Sequence, residues 1–338
     1  MKILVTGGSG YIGSHTVVEL QQQGFEVVII DNLSNSQASV LDAIEKITGT
    51  RPHFEQFDLI DREKTNDFFA RHSDLQGVIH FAAFKAVGES VEKPLVYYRN
   101  NLVSLINILE AMANNNVKNL VFSSSCTVYG QPDELPVSEQ APIKKAESPY
   151  GNTKQISEEI IQDTLKSTPL QAIALRYFNP IGAHETALIG ELPLGVPNNL
   201  VPFITQTAIG IRQQLSVFGD DYNTPDGTAV RDYIHVVDLA QAHVIAIKRM
   251  IENQMKANFE VFNLGTGNGY SVLEVIHSFE KVSGQALNYK IVGRRAGDVE
   301  KVWADPTHSN NVLGWKAKKS LDEMNQSAWK WEKAYRQR

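Results

Sequence analysis

The run ILVTGGSGYIGSH at residues 3–15 constrains this chain more than any other stretch. A short apolar strand passes at once into glycines and then into a helical pattern. Gly8, Gly10 and Gly13 fit G-x-G-x-x-G, and Gly7, Gly10 and Gly13 fit G-x-x-G-x-x-G. Glycines there let the backbone turn tightly and approach a pyrophosphate, whose charge rests at the helix N-terminus. Asp31 ends the next expected strand, 18 residues past Gly13. A carboxylate in that place accepts from ribose hydroxyls and repels a 2′-phosphate, and no arginine follows directly in DNLSNS. The pattern favours NAD over NADP.

The first half continues the alternation. Apolar runs at 3–6, 26–30, 53–57, 78–81, 120–124 and 172–176 predict strands, with helices over 12–23, 95–115 and 150–166 among those between them. Strands alternating with helices mean βαβ units and a parallel sheet. From about residue 180, glycine and proline become frequent and the pattern loosens into a smaller, loop-rich part. Residues 259–265 read as a buried strand returning to the main sheet, and 236–239 as a helix start with Asp238 in its first turn. The expected division is a dinucleotide-binding unit over 1–180, with a returning segment near 236–265, and a substrate unit over 181–338.

Charge and cysteine usage narrow the function classes. A net charge of −6 argues against wholesale nucleic-acid binding. Cys126 is the single cysteine, so no intramolecular disulfide and no cysteine metal cluster is expected, as in a reducing cytosol. MKILVTGG breaks at Gly7 and Gly8, too soon for a secretory signal, and no apolar run has membrane-spanning length. There is no HExxH and the nine histidines are scattered, so no metal is expected.

SPYGNTK, residues 148–154, places Tyr150 four residues before Lys154, behind a proline suited to a first helical turn. Positions i and i+4 share a helical face, and by itself that spacing is common. Beside NAD it acquires a use. Oxidising an alcohol sends hydride to the nicotinamide and leaves a proton for a base. Tyrosine titrates near 10, and lowering that by about 3 units takes roughly 4 kcal/mol. A neighbouring ammonium and a positive nicotinamide ring both stabilise phenolate. SSSCTVYG lies just upstream, at the end of an expected strand, and its Ser125 could hydrogen-bond the reacting oxygen or cap a turn. Arg231, Arg294 and Arg295 lie in the loop-rich half, where guanidinium forks suit either a diphosphate or a solvated surface.

At this point the chain resembles the extended short-chain dehydrogenase/reductases and, more narrowly, the UDP-glucose 4-epimerases (UDP-galactose 4-epimerases). The likeness runs almost end to end, through TGGSGYIGSH, DNLSNS, HFAAFKAVGES, SSSCTVYG, SPYGNTK, RYFNPIGAH, NNLVPFI, DGTAVRDYIHVVDLA, FNLGTGNGYSVLE and RRAGDVEKVWADP. It implies an α/β fold with a Rossmann-type doubly wound parallel sheet and a smaller, loop-rich α/β substrate domain. It implies Ser125, Tyr150 and Lys154 as the catalytic group. It implies NAD contacts from Gly7, Gly10, Tyr11, Ile12, Gly13, Asp31, Asn32, Leu33, Ser34, Asn35, Ser36, Asp58, Leu59, Phe81, Ala82, Ala83, Phe84, Lys85, Asn100 and Phe178, besides the catalytic three. For the UDP-sugar it implies Lys85, Ser125, Tyr150, Asn179, Asn199, Leu200, Ser216, Phe218, Arg231, Arg295, Asp298 and Val302. A cytoplasmic homodimer through helices around 95–115 and 150–166 is implied as well.

The expected reaction is inversion at C4 of a UDP-hexose through a 4-keto sugar, with NAD regenerated and kept. Val302 stands where some members carry a bulky tyrosine, so N-acetylated sugars are expected to fit too. Cys126 departs from the small residue common after the serine and reads as a buried filler. A 4,6-dehydratase would need an acid and base just after Ser125, where Cys126 and Thr127 stand. The same fold also admits a 4-reductase that releases NADH, or a non-catalytic NAD-binding sensor. The presence of both Tyr150 and Lys154 argues against the sensor.

Overall fold

The computed structural model describes residues 1–295 and 299–337. Six strands follow the alternating pattern: β1 (Lys2–Thr6), β2 (Glu26–Asp31), β3 (His53–Gln56), β4 (Leu75–His80), β5 (Asn119–Ser125) and β6 (Gln171–Tyr177). The Phe259–Leu264 strand joins them, and the seven lie in the order Phe259–Leu264, β6, β5, β4, β1, β2, β3. Every pairing in this sheet is parallel. The chain runs outward from β1 to β3, then returns to β4 and runs outward the other way. The strand order therefore reverses between β1 and β4, where such folds open a crevice at the carboxyl ends.

Both faces of the sheet are covered, which is why its strands are nearly continuous apolar runs. Ile3, Val5, Val27 and Ile29 point to one face and pack with Val17, Leu20, Leu239 and Ile247. Leu4, Val28 and Ile30 point to the other and pack with Phe68, Leu105, Ile108 and Ile161. Neighbouring residues of one strand thus belong to two cores, as period-two geometry requires. The first face carries the Tyr11–Gln22 and Val236–Ile251 helices, and the second the Arg62–Arg71, Pro94–Asn114 and Pro149–Leu165 helices. Asp238 is in the first turn of its helix and accepts from the backbone N–H groups of Lys318 and Lys319 at 2.8 and 2.9 Å.

β4 begins three residues earlier than the apolar run predicts and ends at His80 rather than Phe81. Gly77 hides its beginning. A Cβ there would lie 2.7 Å from Ile247 Cδ1, so a helix side chain packs directly over the strand backbone at the glycine.

The remaining strands are short. Val230–His235 pairs with Asn179–Ile181, Gly269–Ser271 and Lys301–Val302, and Leu215–Phe218 pairs with Tyr289–Val292. A third core, including Ile204, Leu215, Tyr233, Phe279 and Met324, lies beneath them.

Candidate active site

Most of the expected cofactor residues lie where the strands of the main sheet end, while Asn100 lies in the Pro94–Asn114 helix. Gly7 follows β1 with φ +68°, and a Cβ on it would be 2.9 Å from the Ala82 nitrogen just beyond β4. A Cβ on Gly13 would be 2.2 Å from the Gly7 carbonyl oxygen. These two close approaches fix the turn at the point where the strand order reverses. The Tyr11–Gln22 helix starts at Gly10 with no side chain capping it. Its first-turn N–H groups and positive dipole end suit a pyrophosphate. Tyr11 donates its hydroxyl to the Gly182 carbonyl at 2.6 Å, and Ile12 packs on the first core.

Asp31 ends β2. Its carboxylate accepts from the backbone of Ser9 at 3.2 Å and of Leu33 at 2.9 Å, and from Ser36 Oγ at 3.1 Å. Leu33 takes φ +60° to make that bond. Asn32 donates to Asp58 at 3.0 Å and accepts from the Ser34 backbone at 3.0 Å, while Asn35 is exposed. Asp58 and Leu59 follow β3, Phe81 to Lys85 follow β4, and Phe178 follows β6. Asn100 donates to Asn101, 3.0 Å away. The glycine cradle that a Cβ would fill, the uncapped helix start and the single carboxylate at the end of β2 together fit an NAD with a free adenosine ribose.

Ser125 is the last residue of β5, and its Oγ accepts from the Thr127 backbone at 3.2 Å. Tyr150 sits in the first turn of the Pro149–Leu165 helix, which Ser148 caps through the Gly151 N–H at 3.1 Å. Lys154 is 4% exposed and donates to the Ser123 carbonyl at 2.7 Å. Its Nζ lies 5.9 Å from the centre of the Tyr150 ring and 5.0 Å from that of Phe122. Burial pushes the Tyr150 phenol up to about 12, although a hydrogen bond with Ser125 pulls the other way. Burial also brings the Lys154 ammonium down to about 8. The protein's own groups therefore do not give the lowered phenol expected from the sequence. On them alone burial disfavours both the phenolate and the ammonium. Of the two charges expected to lower the phenol, Lys154 and a positive nicotinamide, the second is not a protein group.

Cys126 is half-buried, and burial pushes its thiol up to about 12, so it stays protonated. It packs against a small cluster of Val128, Tyr129, Val137, Phe178, Val302 and Ala304. Val302, 7% exposed, pairs with Arg231 in the sheet. The Ser125 turn and the expected sugar-pocket residue thus share one apolar wall.

The other expected substrate residues lie on the short strands, at a helix start and, for Arg295, in a loop. Asn179 pairs with Tyr233, and Ser216 and Phe218 lie on the Leu215–Phe218 strand. Asn199 precedes the Leu200–Ala208 helix, which Leu200 opens. Arg294 and Arg295 part company: Arg294 pairs with Asp221 at 2.7 Å and covers the Tyr222 ring at 4.1 Å, while Arg295 covers Phe218 at 5.5 Å. Asp298 lies outside the described residues.

Two residues near the site escape a reading of the sequence. Asn101 accepts from the Phe84 backbone at 2.8 Å and donates to Thr153 Oγ1 at 3.1 Å, tying the loop after β4 to the helix of Tyr150. Glu191 accepts from Asn199 at 2.6 Å and lies 3.6 Å from Lys85 Nζ, joining expected contacts from both halves of the chain. Neither belongs to a motif with a spacing rule, although Asn101 adjoins Asn100.

A family profile described as GDP-mannose 4,6 dehydratase matches residues 4–328. The UDP-glucose 4-epimerase of Yersinia enterocolitica is 51% identical over 334 residues, covering 98% of each chain. Among solved structures, UDP-glucose 4-epimerase from Bifidobacterium longum in complex with NAD+ and UDP superposes with a TM-score of 0.95 at 45% identity, over 99% of this chain and 98% of that one. The Stenotrophomonas maltophila UDP-glucose 4-epimerase, with bound NAD and formylated UDP-arabinopyranose, superposes with a TM-score of 0.96 at 48% identity, over 100% and 99%.

Proposed function

Because the chain belongs to the UDP-glucose 4-epimerases, within the extended short-chain dehydrogenase/reductases, we propose that Ser125, Tyr150 and Lys154 carry its C4 epimerisation. The protein is an NAD-dependent epimerase that interconverts UDP-glucose and UDP-galactose through a 4-keto sugar. The observation that carries the residue assignment is the convergence of these three side chains at the end of β5.

When bound, NAD supplies the acceptor and donor for the hydrogen at C4. Tyr150, as phenolate, takes the proton of the C4 hydroxyl. Ser125, which favours the ionised form of that phenol, relays or steadies the proton. Lys154 supplies positive charge to the phenolate from a position fixed by the Ser123 carbonyl. Arg231 and Arg295 hold the diphosphate while the keto sugar turns about its link and presents its other face. Tyr150 then returns its proton to the C4 oxygen, and the configuration is inverted with no net proton consumed.

Nothing favours the dehydratase chemistry in the profile's description. Cys126 and Thr127 follow Ser125, and neither is a carboxylic acid. The small side chain of Val302 in the apolar wall supports acceptance of N-acetylated UDP-hexoses. A homodimer through the Pro94–Asn114 and Pro149–Leu165 helices is part of the proposal, supported by Leu95 at 78% exposure and by the exposed Val96 and Ile106 on the first. A cytoplasmic setting is supported by the single half-buried cysteine. Among the described residues, no helix is long and apolar enough to cross a membrane. The test is to give the purified protein UDP-galactose without added NAD. UDP-glucose should appear; absence of product until free NAD is added stoichiometrically would point to a dehydrogenase instead.

A further inference from the structure

Tyr150, Lys154 and Glu158 succeed one another at i, i+4 and i+8 on the Pro149–Leu165 helix and share a face. Glu158 has no part in the chemistry above, yet it is only 4% exposed. Its Oε1 accepts from Ser124 Oγ at 2.6 Å and from Arg176 Nε at 2.9 Å, and its Oε2 from Arg176 Nη2 at 2.5 Å. Arg176 gives Nη1 to the Tyr129 hydroxyl at 2.9 Å, and Tyr129 donates to Asn263 at 2.6 Å. Ser124 immediately precedes Ser125, and Tyr129 closes the turn that follows it. The segment bearing Ser125 is therefore held on both sides by groups that meet at the Glu158–Arg176 pair. One residue further back, Ser123 offers its carbonyl to Lys154.

A buried ion pair is weak evidence for stability, since well-packed apolar residues often replace one at no loss. An apolar pair would lack two things present here: a hydrogen bond to Ser124 and a negative charge beside Lys154. The charge matters because burial alone draws Lys154 downward and Glu158 opposes that. Among the other described titratable groups near Lys154, only Tyr150 becomes negative, as the phenolate of the reaction. Burial holds His80 at about 3, so it is neutral, and holds Tyr150 and Tyr177 above their ordinary values. Arg176 is a cation bound to Glu158 itself.

We propose that Glu158 is a positioning residue for the reaction: through Ser124 and Arg176 it fixes the strand end that carries Ser125 and the Ser123 carbonyl, and from the i+4 position it sets a carboxylate on the helical face of Lys154. This rests on the roles given above to Ser125, Tyr150 and Lys154.

Three variants test it, each assayed for melting, bound NAD, KM, and kcat across pH. Ser124→Ala removes one hydrogen bond and leaves the ion pair. It should keep fold, NAD and KM while kcat falls on the order of 10- to 100-fold, the size of effect that a small misplacement gives. Glu158→Gln should in addition move the high-pH limb of kcat to lower pH, because Lys154 loses its proton sooner. Glu158→Asp keeps the charge and should leave that limb in place although kcat drops. Wild-type kcat in Ser124→Ala overturns the positioning role, and if Glu158→Gln does not fold, that variant alone decides. An unmoved high-pH limb in folded Glu158→Gln overturns the electrostatic role. Failure of the functional reading itself is distinct, since the unsubstituted protein would then not epimerise.

Discussion

Lys154→Met puts a number on the charge beside the base. Methionine fills much of the same volume and removes only the ammonium and its bond to the Ser123 carbonyl. Taking the 5.9 Å from Nζ to the centre of the Tyr150 ring as the charge separation, and an effective dielectric of about 20, the ammonium stabilises phenolate by roughly 3 kcal/mol. That equals about 2 pKa units. The sign is fixed: without the cation the phenolate is less stable, so its pKa rises. At neutral pH the phenolate fraction, and kcat with it, should fall about 100-fold. The rate should recover partly as pH is raised. The assay is kcat for UDP-galactose across pH, on cofactor-loaded enzyme, because burial in the protein alone opposes both the ammonium and the phenolate. A loss of rate that is equal at every pH would refute the reasoning. Lys154 would then serve only to hold the cofactor.

Other substitutions probe the remaining parts. Tyr150→Phe should lower kcat by roughly 10²- to 10⁴-fold while melting temperature and bound NAD stay unchanged, since only the base is removed; near-normal turnover would remove Tyr150 from the chemistry. Val302→Tyr should suppress turnover of UDP-N-acetylglucosamine and spare UDP-galactose, because overpacking of about 1–3 kcal/mol excludes a sugar that no longer fits. Inability of the unsubstituted enzyme to use UDP-N-acetylglucosamine would show that another residue closes the pocket. Gly13→Ala sets a Cβ 2.2 Å from the Gly7 carbonyl oxygen, so the protein should purify without NAD; cofactor released from it on denaturation would contradict the cradle.

The parallel sheet is readable from the sequence because burial on both faces leaves long apolar runs, as in β1, β2 and β6. Gly77 interrupts that signal in β4 for a tertiary reason, the Val236–Ile251 helix lying against it, which no local pattern contains. The Val230–His235 strand is harder to read, since its VRDYIH mixes charge and apolar residues. Asp232 is buried there because it accepts from the backbone of Thr266 and Ala304, both distant in sequence. The glycine turn and the tyrosine–lysine step are legible because their chemistry dictates a spacing. Glu158 has the helical spacing too, but its partners Ser124 and Arg176 come from two strands and meet it only in the fold. The phenol's raised pKa is not legible at all: sequence shows which charges neighbour a group, not how deeply it is buried.

Epimerisation by a hydrogen that leaves C4 and comes back is tested most directly with UDP-galactose deuterated at C4. The purified protein, with no NAD added, is run in ordinary water, and the UDP-glucose formed is examined by proton NMR and mass spectrometry. Return of the same hydrogen by retained cofactor predicts product that keeps its deuterium at C4. Loss of the label to solvent, or no turnover until NAD is supplied, would contradict it.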